Sequence, residues 1–229
     1  MRKLINKILT KQKGVQYELD DAIPFSYLFS LSVSRSFMLL RGFLSGIKNG
    51  GILFISRHVT IKAKSKIKLG RLVTISRGCY IDALSANGII FGNNVSMGKN
   101  CKIECTGNLQ LIGKGMRVGN NVGLGADNFF GCAGGVEIGD DTIFGNFISL
   151  HAENHIYSDL TEPIRNQGVS RKGIKIGKNC WIGSGVAILD GAIIEDGCII
   201  AAGAVVNAGL YEANCIYGGV PAKLLKKRN

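Results

Sequence analysis

The sequence predicts an all-β chain: a parallel β-helix built in six-residue steps, preceded by an N-terminal helical segment and closed by a short C-terminal helix. Three observations carry this reading. An apolar residue returns every six positions between Leu69 and Val206, most regularly as Ile176, Ile182, Ile188, Ile194, Ile200 and Val206. A small residue follows each of the first five at the fifth slot: Cys180, Val186, Ala192, Cys198 and Ala204. A six-residue period fits neither a helix at 3.6 nor an alternating strand at 2, whereas it is the signature of a stacked hexapeptide coil. Glycine, at 32 of 229 residues, is about twice its usual share without the spacing of collagen. The glycines mostly follow the apolar beat residue, where a tight corner needs positive φ or no side chain.

Grouped in threes, the hexads predict six triangular rungs. Upstream of Ile176 the beat reads Leu69, Ile75, Ile81; Phe91, Met97, Ile103; Ile112, Val118, Leu124; and Ile138, Phe144, Leu150. Four extra residues separate Ile81 from Phe91, three separate Ile103 from Ile112, eight separate Leu124 from Ile138, and twenty separate Leu150 from Ile176. Each insertion follows a third hexad, so all should leave the prism at one corner. Loops stacked on one edge of a solenoid usually build its binding face. The longest, His151 to Lys175, holds two of the three histidines.

In chain order, residues 1–50 form a basic helical segment. Lys and Arg interleave with Leu and Ile over 1–21, and an apolar Leu/Phe/Ser stretch follows from Ala22 to Ile47. Arg35 and Arg41 interrupt that stretch, leaving it too short to span a bilayer. Two roles stay open for it: a cap on the open end of the prism, or a peripheral contact with an anionic membrane through residues 1–48. Residues 51–215 are the β-helix, with an extruded loop at 151–175. Residues 216–229 are a basic tail, where Lys223 to Arg228 read as a helical turn.

The net charge of +12 is local. Residues 1–80 carry 15 Lys/Arg against 3 acidic residues, while residues 81–229 carry 13 of each. The alternation of Lys62, Lys64, Lys66 and Lys68 puts the lysines on one outer strand face. A neutral body with no aromatic platform among the charges argues against nucleic acid. Cys79, Cys101, Cys180 and Cys198 fall in small inward slots, so the cysteines read as buried hydrophobes. Their odd total of seven and the lack of a cleavable leader point to a reducing cytoplasm. No Cys or His cluster has zinc spacing, so no metal is expected.

The hexads, the stretch IGKNCWIGSGVAILDGAIIEDGCIIAAGAVV and the closing YGGVPAKLLKKR resemble the left-handed β-helix acyltransferases over about residues 55–228. The likeness is greatest to the galactoside/maltose type and to sugar and exopolysaccharide O-acetyltransferases. It implies left-handed coils, an exception to the usual right-handed crossover, and a homotrimer with active sites between neighbouring prisms. It implies acetyl-CoA as co-substrate and the hydroxyl of a sugar or glycan as acceptor, in capsule, O-antigen or exopolysaccharide biosynthesis. Counting from Ile138-Gly139-Asp140, the catalytic histidine of the family falls on His155, with His151 the other candidate. An imidazole suits direct transfer to a hydroxyl at neutral pH, without an acyl-enzyme, and Glu153 or a backbone carbonyl would orient it.

For the coenzyme, the resemblance implies Gly183, Ser184 and Ala202 along a flat face, Trp181 at the cleft mouth, and Lys223 and Lys226 toward the phosphates. Asn207 stands where the family has a Thr before a Lys; here that Lys is Ala208. Asp127 and Asn128, read as part of an insertion, are the acceptor candidates, while the acceptor asparagine of the family aligns with Gly125. A sugar N-acetyltransferase and a non-catalytic trimeric scaffold are the competing readings. A three-histidine zinc enzyme of this fold is disfavoured, because His58 lies several coils from His151 and His155.

Overall fold

The structure is a computed structural model that describes residues 5–7, 10 and 16–228. Two compact units divide the chain, Met1–Phe37 and Met38–Asn229. The basic helix expected over 1–21 falls mostly outside the described residues; Ile5, Asn6, Lys7 and Thr10 are helical. Helix α1, Phe25–Leu44, begins just after Pro24, whose carbonyl accepts the N–H groups of Tyr27 and Leu28. Gly46, at φ 70°, follows its end in the left-handed conformation that glycine adopts without penalty. At Gly42 an added Cβ would lie 1.9 Å from the Leu53 carbonyl oxygen, so only glycine lets the last turn of α1 rest on the first coil.

From Lys48 the chain winds into a triangular prism whose walls are parallel sheets. The first face has eight strands, from Lys48–Asn49 to Gly209–Tyr211. The third face has seven, from Thr60–Lys62 to Val205–Val206. The second face runs Leu53–Ile55, Val73–Ile75 and Ser96–Met97, continues through single bridges at Gly123, and resumes from Ile143–Phe144 to Cys215–Gly218. Register places beat residues directly over one another, as in Ile103, Phe130, Leu150, Ile188 and Val206. All five are fully buried. Each such side chain contributes about 1.5–3 kcal/mol through burial.

The eight strands of the first face make eight coils where six rungs were expected, because the beat extends to Ile55 and Ile61 upstream and to Tyr211 and Tyr217 downstream. One phase was also misassigned. Ile112 is 40 % exposed and lies in a loop. Fifteen residues separate Ile103 from Val118 on consecutive coils, nine more than a hexad, so the large insertion comes there. The segment Asp127 to Phe130 is not an insertion, since Phe129–Gly131 is a strand of the third face. Corrected in this way, the insertions 83–88, 105–115, 132–135 and 152–173 still all leave between the third and first faces.

The other two corners are closed by local chemistry. Between the first and second faces each coil has one left-handed residue, most often Asn or Asp: Asn94, Asn121, Asp141, Asn179 and Asn214 lie at φ 52–58°. These residue types tolerate that region best after glycine. Between the second and third faces the same job falls to His58, Gly78, Asn100, Asp127, Phe147, Gly185 and Gly203. His58 thus serves a turn. Of the two reasons expected for the glycines right after the beat, the need for no side chain is the one that applies. Gly92 and Gly139 are not left-handed, but a Cβ on either would lie within 2.8 Å of the next coil's backbone.

The C-terminal helix is absent. Lys223–Lys227 is a strand antiparallel to Cys215–Gly218, and it finds its backbone partners on the edge of the second face. A helix there would leave that edge open to pairing with another chain. Tyr211 and Tyr217, ring centroids 4.9 Å apart, fill the last coil.

All seven cysteines are free and buried. Burial pushes the thiols of Cys79 and Cys180 up to about 11. Ellman's reagent at pH 8 is therefore expected to label none of the seven in the native protein and all of them in guanidinium. Ile188→Ala should cost about 2–5 kcal/mol, measured as a loss of unfolding free energy in denaturant titration.

Candidate active site

The 152–173 loop leaves the prism after the strand Ser149–His151 and returns at Ile174. Its base is a two-residue antiparallel hairpin that pairs Asn154 with Ser170 and His155 with Val169. Ordered backbone thus carries the exposed His155 just outside the third-to-first corner. Asp190, 2 % exposed, anchors the returning strand by accepting the N–H groups of Lys172 and Gly173. Farther out, the Gln167 amide donates to the carbonyls of Asp159 and Glu162. The Thr161 hydroxyl, the leading cause, holds the Asp159 carboxyl below its ordinary range.

Arg171 ties this loop to the 105–115 insertion, which leaves the same corner two coils earlier. Its Nε donates to Glu153 Oε2 at 2.6 Å, and its Nη1 to the carbonyls of Leu111 and Ile112. Lys114 Nζ in turn donates to the Arg171 carbonyl at 3.1 Å. Glu153 is therefore committed to a structural ion pair and is no longer a convincing partner for the His155 ring. Beside the corner, on the first face, lies a groove of about 600 Å³ whose lining includes Lys114, Arg117, Lys172, Lys175 and Glu137. Four cations against one carboxylate give it a positive field.

His151 ends its strand at the same corner and packs on Phe129, with ring centroids 5.6 Å apart. That fits a structural role. Among the described residues no group of three His, Cys, Asp or Glu side chains is placed to hold a metal ion.

The remaining candidates lie elsewhere. Trp181 stands on the outer side of the second face, in one row with Ile143, Ile199 and Ile216. Ser184 and Ala202 occupy the corner between the second and third faces. Lys223 pairs there with Gly218, and Lys226 pairs with Ile216 along the same sheet. A Cβ at Gly145 would lie 2.5 Å from Ser184 Oγ, while one at Gly203 would meet nothing within 4 Å. Gly145, Ser184, Ala202 and Gly203 therefore make a strip of near-bare backbone up the corner. Asn207 sits one corner away, on the same edge as His155.

The acceptor candidates resolve differently. Asn128 is 1 % exposed and fills an inward slot of the coil. Its Nδ2 donates to the Leu124 and Gly145 carbonyls and its Oδ1 accepts from Ile148. A substrate has no access to it, and its assignment to the acceptor is corrected to a core role. Asp127 takes a left-handed corner position, where its carboxylate accepts from the Asn100 amide. Sequence reasoning missed the Glu153–Arg171 tie, the Asp190 anchor and the basic groove. Only an exposed row of side chains signals the groove beforehand, and the beat says nothing of outward positions.

Within one chain, then, His155 and the bare strip stand on different corners. Both are bordered by unpartnered apolar side chains. The loop presents Tyr157 at 72 % and Leu160 at 97 % exposure, and the second face presents Trp181 at 53 % with Phe147 nearby at 69 %.

Residues 173–208 match the model of the bacterial transferase hexapeptide (six repeats). A probable acetyltransferase of Mycobacterium tuberculosis is 34% identical over 93 residues, which cover 41% of this chain and 31% of the relative. The match thus spans about a third of that relative's length. Among solved structures, AntD, an N-acyltransferase from Bacillus cereus in complex with dTDP and coenzyme A, superposes with a TM-score of 0.56 at 18% identity, over 83% of this chain and 88% of that one. Its complex with dTDP and 3-hydroxybutyryl-CoA gives 0.53 over 82% and 86%. The stacked coils, their hexad register and these matches together give this chain the left-handed parallel β-helix fold, with the bacterial transferase hexapeptide repeat matched over residues 173–208.

Proposed function

We propose that the protein is an acetyl-CoA-dependent O-acetyltransferase acting on a sugar or glycan hydroxyl, and that it works as a homotrimer. One observation carries this reading: His155 and the bare strip at Ser184 and Ala202 face outward from different corners of a single prism, each beside exposed apolar residues. A threefold ring brings one corner of each copy against the other corner of its neighbour, a heterologous contact that closes. The third face would then line the axis. The hexapeptide match, the relative named a probable acetyltransferase and the coenzyme A in the AntD complex all support an acyl-CoA substrate.

The residues fit such a carrier. A pantetheine arm needs a long surface free of side chains, which the Gly145–Ser184–Ala202 strip offers, and Lys223 and Lys226 suit its phosphates. Acetyl-CoA, when bound, supplies an activated thioester. His155 would accept the proton of the acceptor hydroxyl as that oxygen attacks, then return it to the departing sulfur. The loop hairpin holds the imidazole in place. General-base assistance of this kind is worth about 10²–10⁴ in rate. No cysteine is open to act as nucleophile, since all seven are buried, which favours direct transfer. The free thiols also suit a reducing cytoplasm, where the acyl donor is made. The basic groove beside the loop would take the acceptor.

His155→Ala is expected to lower acetyl-CoA turnover by about 10²–10⁴ while thermal stabilisation by coenzyme A persists. Thiol release across sugars, nucleotide sugars and glycans is the assay, and undiminished turnover in that variant would sink the assignment. A scaffold would show no stabilisation by coenzyme A in the wild type. Leu160→Asp should shift the light-scattering mass from trimer toward monomer and abolish turnover with it.

A further inference from the structure

The basic start of the prism plays no part in the chemistry above. From Lys48 to Tyr80 the chain has eight Lys/Arg and no acidic residue, and all eight cations are exposed. They ring the first two coils, at the end where α1 arrives. Lys64 Nζ donates to the Ser45 carbonyl at 3.2 Å, so the short turn Lys64–Lys66 is held against the end of the helix. Between the last turns of α1 and the first coil runs an apolar groove of about 630 Å³, walled by Leu39, Leu40, Phe43 and Leu53.

Helix α1 buries Leu28 and Met38 but leaves one stripe exposed. Phe25, Phe29, Val33, Phe37, Leu40 and Leu44 recur every three or four residues along it and are all exposed, with Phe43 at 85 % on the same stripe. By helical spacing Arg41 borders that stripe, four residues after Phe37, while Arg35 falls away from it. No helix among the described residues is long and apolar enough to cross a membrane. An uncharged stripe on a helix flanked by cations is the pattern of a segment lying in a lipid interface.

We propose that the Leu40–Phe43–Leu44 stripe, the groove beneath it and the cations of the first two coils form a docking surface for an anionic lipid bilayer. A second copy of the chain is the poorer occupant, because a contact through this end would set this cluster of cations against the same cluster on the other copy. Anionic headgroups neutralise those charges, while the acyl region accepts the phenylalanine and leucine side chains. This inference does not depend on the acyltransfer reading.

The test floats the full chain with vesicles of phosphatidylcholine alone or with about 30 % phosphatidylglycerol, at about 0.1 M and 0.5 M salt. Binding is expected at least about tenfold more strongly to the anionic vesicles, and to weaken at the higher salt. Leu40→Asp/Phe43→Asp and, separately, Lys64→Glu/Lys66→Glu should each reduce it by about tenfold or more. Both variants alter exposed positions, so their melting temperatures and thiol-release activity should match the wild type. Equal binding to both vesicles, no binding to either, or full retention by the Leu40→Asp/Phe43→Asp variant would overturn the proposal. So would a wild type that ignores vesicles but changes oligomeric mass on Phe43→Asp, which assigns the stripe to a second copy. Retention on duplex DNA without vesicle binding would overturn it in favour of a different polyanion.

Discussion

Coil must sit on coil at the spacing of parallel β-strands, about 4.8 Å, and the rest of the molecule follows from that contact. At this separation each corner backbone touches the corner above and below. A Cβ at Gly70, Gly92, Gly119, Gly139 or Gly177 would fall within 2.7 Å of the neighbouring coil. The turn two residues later needs a left-handed residue, which Asn and Asp provide at modest cost. The residues just before them serve the stack as well: Asn93, Asn120 and Asp140 each accept a backbone N–H from the adjacent coil. Tight corners on two edges leave one edge where the chain can depart without breaking the register.

That asymmetry gathers the loops on one edge. Every long insertion leaves between the third and first faces, so loops from successive coils are neighbours and can brace one another. Arg171 does this by joining Glu153 to the carbonyls of Leu111 and Ile112. The Asp190 carboxylate secures the returning strand from inside. An exposed histidine on such a frame is positioned by backbone, in contrast to one at the tip of a free loop. The opposite corner is smooth for the same packing reason: the residues that permit close stacking also leave little side chain outside.

The prism meets its two ends differently. At the C-terminal end Tyr211 and Tyr217 fill the last coil, and the strand Lys223–Lys227 covers part of the open edge. At the other end α1 rests on Leu53 through Gly42, and cations crowd the first coils. The neutral remainder of the body confines this charge to one end, where a charged surface can orient the molecule.

Six-residue periodicity by itself determined the coil, the core residues and the corner from which the loops leave, because each inward position must repeat for the stack to fill. It also brought out the long insertion that holds His151 and His155, which has no role in a bare stack; the choice of His155 between them rests on the family resemblance. The phase near Ile112 and Phe130 was not legible, because two apolar residues competed for one slot and only strand pairing separates them. Asn128 reads as a polar loop residue until the coil places it in an inward slot, where three backbone groups satisfy its amide. Likewise Lys223 to Lys227 has the composition of a helical turn, but an unpaired sheet edge draws it into a strand. Which residues face outward together, and which stand on separate corners, was left to the tertiary structure, since a repeat specifies what points inward and is silent about the surface.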